Sequence, residues 1–400
     1  MTSVQLRIFD TLSGTKKPFH SLKSGRVKMF VCGPTIQDYI HVGHARTYLF
    51  YDMLARYLDY LGNRVDFLVN ITDIDESIVK GSEKERLSIT EFTKKKEKAF
   101  LSDMKALGIV SPIYDRVSSH LRDMVNQVEG LLDGGHAYRL GGSVYFDIGT
   151  FPDFGRLSSQ TPHDISLRPL EIAEGKRNQA DFSLWRDSGT GEQKWESRWG
   201  RGTPGWHIQD TAVSSSHFGD QYDIHGGARE LVYPHHEAQI AERESLTGRR
   251  PVVGFWVHSG LLTQRMEKMA KSRGNVLRVR DVLRRHTSGA LRLCMLSMHH
   301  GADAEFSEGK LDGWERKYAE LKEIVSLADS MSGGVAAYGA PTRKFLEAID
   351  DDLHSDKAIE LMTAAARKWK KNRSHRGAAE LLGLMKTATR VLGVSFVGTG

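Results

Sequence analysis

The chain has only two cysteines, Cys32 and Cys294. Two thiols so far apart cannot staple a disulfide framework, so a reducing compartment suits this sequence. It has no uninterrupted apolar run of the roughly eighteen residues that a membrane-spanning helix needs, and its first residues, MTSVQLRIFD, lack the apolar core of a signal peptide. A cytoplasmic location and no membrane contact are expected. Net charge is also small, +6 with a pI near 9.1. That excess is compatible with a polyanionic partner and equally with an ordinary soluble enzyme. A chain of 400 residues exceeds what one core organises, so two or three domains are expected.

What is present is organised around residues 31–48, VCGPTIQDYIHVGHARTY. The short apolar stretch Lys28–Val31 suits a buried strand, and Gly33-Pro34 ends it. From Gly43 to Leu61 the leucines at 54, 58 and 61 fall at helical spacing, with Gly62 as a C-cap. His41, Gly43 and His44 thus sit at a helix N-terminus, where unpaired N–H groups and the helix dipole favour phosphate. Val65–Val69 follows closely as a strand, giving β-α-β order and a parallel, Rossmann-like half-domain. Before this unit, Val4–Phe9 reads as an edge strand or hairpin, and after it the run Lys94–Lys96 reads as a solvated helix face. From about Ile109 to Arg201 the composition shifts toward Gly, Ser, Pro and Asp with short strands such as Ser143–Ile148, as in an insertion. The second half resumes at Gly205 and passes through Ile208–Val213 and Val252–Val257. Beyond residue 300 the segments Leu311–Leu327, Arg343–Ile349, Lys357–Lys371 and Ala378–Leu392 have helical spacing. Six cations, Arg367, Lys368, Lys370, Lys371, Arg373 and Arg376, surround Trp369 there; an RNA-facing surface and a solvated helix face are both open.

Lys268-Met269-Ala270-Lys271-Ser272 completes a pair with HVGH, and together they resemble the two signatures of class I aminoacyl-tRNA synthetases. CGPTIQDYIHVGHART, NITDIDE (Asn70–Glu76), PGWHI (Pro204–Ile208), YDIHGG (Tyr222–Gly227) and YPHHE (Tyr233–Glu237) narrow the resemblance to cysteinyl-tRNA synthetase over about residues 5–300. The resemblance implies an α/β fold: a Rossmann-like class I catalytic domain with an inserted connective domain, then a C-terminal helical bundle. The boundaries expected are 1–108 and 202–258 for the two catalytic halves, 109–201 for the insertion, 259–300 for the lysine-loop region and 301–400 for the bundle, with no residues left for a separate anticodon-binding domain.

The implied activity is ATP-dependent formation of an aminoacyl-adenylate from cysteine or a related small polar amino acid, and its transfer to tRNA. By resemblance His41, His44, Lys268 and Lys271 are catalytic, Gly43, Gly226 and Gly227 join His41, His44 and Lys271 in binding ATP, and magnesium arrives with the nucleotide. Ala270 replaces the usual loop serine and keeps both cations. The amino-acid pocket maps to Cys32, Gly33, Thr35, Trp206, His207, Asp210 and Glu230, the last one methylene longer than the family's aspartate. Thr72, Asp73 and Asp75 serve either the site or a strand-end cap. The family's thiol-selecting zinc, held by two cysteines, a histidine and a glutamate, maps to Cys32, Asp210, His235 and Gln239. Two of these positions are changed, so no tightly bound zinc is expected. Two other readings stand beside the leading one: a paralogue that joins the activated amino acid to a small amine, and a non-catalytic RNA-binding module.

Overall fold

The computed structural model describes residues 5–161, 164, 173–187, 193–264, 267–268 and 276–396. Near the amino terminus β1 (Arg7–Asp10) and β2 (Thr15–Pro18) form an antiparallel hairpin. Next come β3 (Arg26–Val31), α1 (Val42–Tyr60) and β4 (Arg64–Ile71). The inner end of β3 is buried on consecutive residues, as expected of a parallel strand covered on both faces. α1 is buried along most of its length, and it stops where the periodicity stops: Leu61 is its C-cap and Gly62 has a φ of 91°. Asp75 caps α2 (Glu76–Glu85) through Ser77 N–H, and a Ser88/Glu91 capping box opens α3 (Ile89–Ala106). Asp75 thus serves as a helix N-cap, where a strand-end cap was the expected alternative to a place in the site. β5 (Ile113–Arg116) and α4 (Leu121–Asp133) follow.

β6 (Ala137–Leu140), β7 (Ser143–Phe146), β8 (Phe182–Arg186) and β9 (Thr203–Pro204) make a separate antiparallel sheet in that order. The chain then returns through the helix Trp206–Phe218 to β10 (Tyr222–Ala228), and through the helix Glu237–Thr247 to β11 (Val253–Ser259). The central sheet has the order β11-β10-β3-β4-β5, parallel throughout. Its order reverses between β3 and β10, so ligands belong beyond the carboxyl ends of those two strands. β12 (Leu262–Gln264), β13 (Glu267–Lys268) and β14 (Ala304–Glu305) form a small third sheet.

Two expectations about the middle of the chain change. The start assigned to the insertion, residue 109, falls before β5, which pairs with β4 inside the central sheet; its Ile-Tyr-Asp-Arg sequence is too short and polar to read as a core strand. The run Lys94–Lys96 is not wholly solvated either. Lys96 is 3% exposed, pairs with Glu85 at 2.7 Å and lies 4.5 Å from the centre of the Tyr39 ring, because α3 turns that residue inward.

Helices Glu308–Ser332, Ala340–Asp350, Ser355–Asn372 and His375–Leu392 pack together, and the last lies against α1. Trp369 belongs to this core: it is 7% exposed and donates to Ser374 O, so it does not share the surface of its basic neighbours. Arg292, itself 1% exposed, holds the join. Its guanidinium pairs with buried Asp52 of α1 and donates to the carbonyls of Leu107 and Leu392. Burial lowers its pKa, yet the paired carboxylate and the carbonyls keep every face of the charge engaged. Removing it leaves the buried Asp52 carboxylate with Arg56 at 2.7 Å and the Ser111 hydroxyl at 3.2 Å. Arg292→Ala should therefore cost about 3–5 kcal/mol of stability in equilibrium denaturation, whereas Arg390→Ala, at the exposed pair with Asp59, should change it by about 1 kcal/mol or less.

Candidate active site

Beyond β3 the chain turns at Cys32 and Gly33. A Cβ on Gly33 would stand 1.5 Å from the carbonyl oxygen of Asn70, so only glycine lets β3 and β4 end side by side. The Asn70 side chain fills the gap: Oδ1 accepts from Gly33 N at 2.6 Å, and Nδ2 donates to Asp210 Oδ1 at 2.8 Å and to Thr72 Oγ1 at 3.2 Å. Asn70 is completely buried and joins β3, β4 and the helix Trp206–Phe218. It lay within a quoted motif without a role; a polar residue ending an apolar strand was the available signal.

Above this junction opens a cavity of about 330 Å³ lined by Cys32, Gly33, Thr35, His41, His44, Trp206, Asp210, Glu230 and His235. Gly43 lines an adjoining cavity of about 160 Å³ together with His41 and His44. The remaining predicted residues sit elsewhere. His207 lies behind the wall, 2.9 Å from His235 through the two Nδ1 atoms. Gly226 and Gly227 line neither cavity. A Cβ on Gly226 would meet the Tyr51 ring at 2.4 Å and one on Gly227 the His236 ring at 2.9 Å, so packing accounts for both glycines. Lys268 is in β13, where its backbone pairs with Thr263; Lys271 and Ala270 lie outside the described residues.

The start of α1 fixes the chemistry of its two histidines. His41 is the N-cap and its Nδ1 accepts from Gly43 N at 3.1 Å, while His44 Nδ1 accepts from His41 N at 3.3 Å. A nitrogen that accepts carries no proton, so each ring bears its N–H on Nε2. Arg46, one residue past a turn of helix, is buried and donates to four carbonyls, those of Gly260, Leu261, His299 and Ala302. It ties α1 to the segment leading into β12. Tyr39 lines the cavity with Arg278 and Arg280 stacked on it, at 5.1 and 4.0 Å from the ring centre. Sequence reasoning passed over both Arg46 and Tyr39.

All four positions of the implied metal site converge. Cys32 Sγ, a carboxylate oxygen of Asp210 and a ring nitrogen of His235 lie within 4.8 Å of one another. These three suit a divalent ion with an open fourth position. Gln239 does not supply a charged fourth ligand. Its amide nitrogen faces the same donors, at 2.8 Å from His235 Nε2, 3.4 Å from Asp210 Oδ2 and 4.0 Å from Cys32 Sγ, and so stabilises them by hydrogen bonding. Burial, with Asp210 alongside, pushes the Cys32 thiol well up, which favours S–H where a ligand must be a thiolate.

Residues 18–315 match the model of the tRNA synthetases class I (C) catalytic domain. The cysteine–tRNA ligase of Heliobacterium modesticaldum is 36% identical over 383 residues, spanning 91% of this chain and 80% of the relative. That of Thermococcus gammatolerans is 39% identical, spanning 88% and 78%. The chain belongs to the cysteinyl branch of the class I tRNA synthetases. Among solved structures, Mycobacterium tuberculosis methionyl-tRNA synthetase in complex with methionyl-adenylate superposes with a TM-score of 0.68 at 15% identity, covering 92% of this chain and 89% of that one. The Agrobacterium radiobacter LeuRS–tRNA–LeuAMS complex gives 0.69 at 10% identity, covering 94% and 84%. Both show the shared fold.

For this synthetase the altered donor set has a measurable consequence. Dialysed against a mild chelator, the purified protein should hold well under one zinc per chain by atomic emission. The double substitution Asp210→Cys with Gln239→Glu restores thiolate and carboxylate and should retain about one equivalent through the same dialysis.

Proposed function

We propose that this synthetase joins cysteine to ATP, forming cysteinyl-adenylate and pyrophosphate, and passes the aminoacyl group to tRNA. The observation that carries this reading is the juxtaposition, around one cavity, of two Nε2–H donors at a helix N-terminus with the Cys32, Asp210 and Glu230 end of the pocket. When the amino-acid carboxylate attacks the α-phosphate, a carboxylate–phosphorus bond forms as the bond to pyrophosphate breaks. Negative charge grows on the phosphate oxygens. The Nε2–H groups of His41 and His44, set at the positive end of the α1 dipole, are held in advance to donate to those oxygens, so little reorganisation is needed at the transition state. Glu230 at the cavity rim would pair with the substrate ammonium. Thr35 and Trp206 would enclose its side chain, with Trp206 fixed by stacking on His235 at 4.1 Å between ring centres. Cys32, Asp210 and His235 would hold zinc only weakly, since Gln239 adds no charged fourth ligand; the ion when bound supplies a Lewis acid that prefers a thiolate to a hydroxyl.

Lys268 and Lys271 would supply cations to the departing pyrophosphate. Because that charge develops late, Lys271→Ala should lower the rate constant for adenylate formation by roughly a hundredfold or more while the Km for ATP changes much less, as read by single-turnover kinetics.

The proposed tRNA partner would meet the basic end of helix Ser355–Asn372. Arg367 pairs with Glu320 at 2.8 Å and Arg376 with Glu380 at 3.2 Å, whereas Lys368, Lys371 and Arg373 project from the exposed surface. Phosphate contacts made there release counterions, so transfer of labelled cysteine to tRNA should weaken steeply with salt, and neutralising Lys368, Lys371 and Arg373 together should flatten that salt dependence. Transfer to tRNA is the direct test of this reading. Adenylate formation without any such transfer would refute the tRNA step. The two sequence relatives described above are both cysteine–tRNA ligases and lend no support to a small-amine acceptor.

A further inference from the structure

At the far end of the helix that carries Trp206 and Asp210 lies a second cluster of metal-ligating side chains, and none of its members lines the amino-acid cavity. Asp115 comes from β5, His120 from the short turn Val117–His120 ahead of α4, and His217 from the last turn of the helix Trp206–Phe218. Asp115 Oδ2 stands 3.0 Å from His120 Nε2 and 2.7 Å from His217 Nε2, and one ligand atom from each residue lies within 4.8 Å of the other two. The other nitrogen of His120 faces a second carboxylate, Asp123 Oδ2, at 2.9 Å.

That last contact sets which His120 nitrogen is free to face Asp115. A neutral imidazole has one N–H, and with Nδ1–H donated to Asp123 the His120 Nε2 presents a lone pair toward an oxygen that presents another. Two acceptors at 3.0 Å need a cation between them, either a second proton on the ring or a metal ion. A carboxylate behind the non-ligating nitrogen of a histidine is the arrangement that fixes the tautomer and raises ligand basicity at metal sites. Tetrahedral ligands at bond lengths near 2.0–2.1 Å stand ~3.3 Å apart, so the two Asp115–His separations, 3.0 and 2.7 Å, need to open by only about 0.3–0.6 Å to admit an ion.

We propose that Asp115, His120 and His217 form a site for a divalent transition-metal ion, zinc or a chemical equivalent, separate from the amino-acid pocket. Two imidazoles and one carboxylate suit such an ion over magnesium or calcium, and partial exposure at His217 and Asp115 leaves room for water to complete the coordination. Binding exchanges the Nε2 protons for the metal and staples three segments: the edge strand of the central sheet, the start of α4, and the helix whose opposite end places Trp206, His207 and Asp210. Asp115 also sits directly across from Asn70 in the β4–β5 ladder. The staple therefore bears on the same two elements that position Asp210.

Cobalt(II) is the probe, because its spectrum separates the two sites: a thiolate ligand gives a charge-transfer band in the near ultraviolet, and a His/His/Asp site does not. The whole chain, His217→Ala, His120→Asn and Cys32→Ser are titrated by absorption and calorimetry. The proposal expects an equivalent of cobalt without the thiolate band in the parent and in Cys32→Ser, weakened about tenfold or more in His217→Ala and His120→Asn. His217 is exposed, so its loss leaves the fold intact and the comparison valid. A rise in melting temperature on adding zinc to Cys32→Ser, absent when His217→Ala is added to it, is expected as well. Cobalt binding that is unchanged in His217→Ala, or wholly lost in Cys32→Ser, would overturn the assignment.

Discussion

The side chain of Asn70 is the joint on which the site depends. It reaches from the end of β4 to the backbone of Gly33 beyond β3 and to the carboxylate of Asp210 on the helix Trp206–Phe218. Three segments distant in sequence are thereby held at fixed separation without a bulky residue between them. The cavity exists because this junction is tight: Gly33 has no side chain to push the strands apart, and Asp210 is anchored at the cavity floor. Being completely buried, the amide spends its hydrogen-bonding capacity on protein, and a substitution that left any partner unsatisfied would be felt at every wall of the pocket.

The same economy appears at the start of α1. One capping box satisfies the orphan N–H groups of the helix and fixes the protonated nitrogen of both His41 and His44. Arg46 then commits its guanidinium to the carbonyls of Gly260, Leu261, His299 and Ala302, which ties the start of α1 to the segments leading into β12 and β14. Burial lowers the Arg46 pKa to about 10, which leaves it cationic at neutral pH and dependent on those carbonyls for solvation.

Much of this was legible in the sequence where local rules apply. The limits of α1 followed from leucine spacing and Gly62, and the parallel order of the sheet from the β-α-β pattern. Motif matching picked out Cys32, Asp210, His235 and Gln239, which are far apart in the chain and adjacent in space. What escaped was set by tertiary contact. β5 is too short and polar to announce itself, Lys96 turns inward only because Glu85 and Tyr39 receive it, and Trp369 reads as an aromatic among cations until the neighbouring helix covers it. Gly226 and Gly227 were read as allowing a nucleotide to approach, whereas the rings of Tyr51 and His236 occupy the space their side chains would need. The substitutions at Asp210 and Gln239 were visible as departures, but the hydrogen bonds by which Gln239 engages the remaining donors required coordinates.

The central claim is that this cavity activates an amino acid with ATP and selects it through Cys32 and Asp210. Amino-acid-dependent exchange of labelled pyrophosphate into ATP, run separately with all twenty amino acids, tests it most directly. The account predicts exchange with cysteine well above every other amino acid. Absence of exchange with all twenty would contradict it, and exchange with an amino acid bearing neither a thiol nor another small polar group would contradict the assigned pocket.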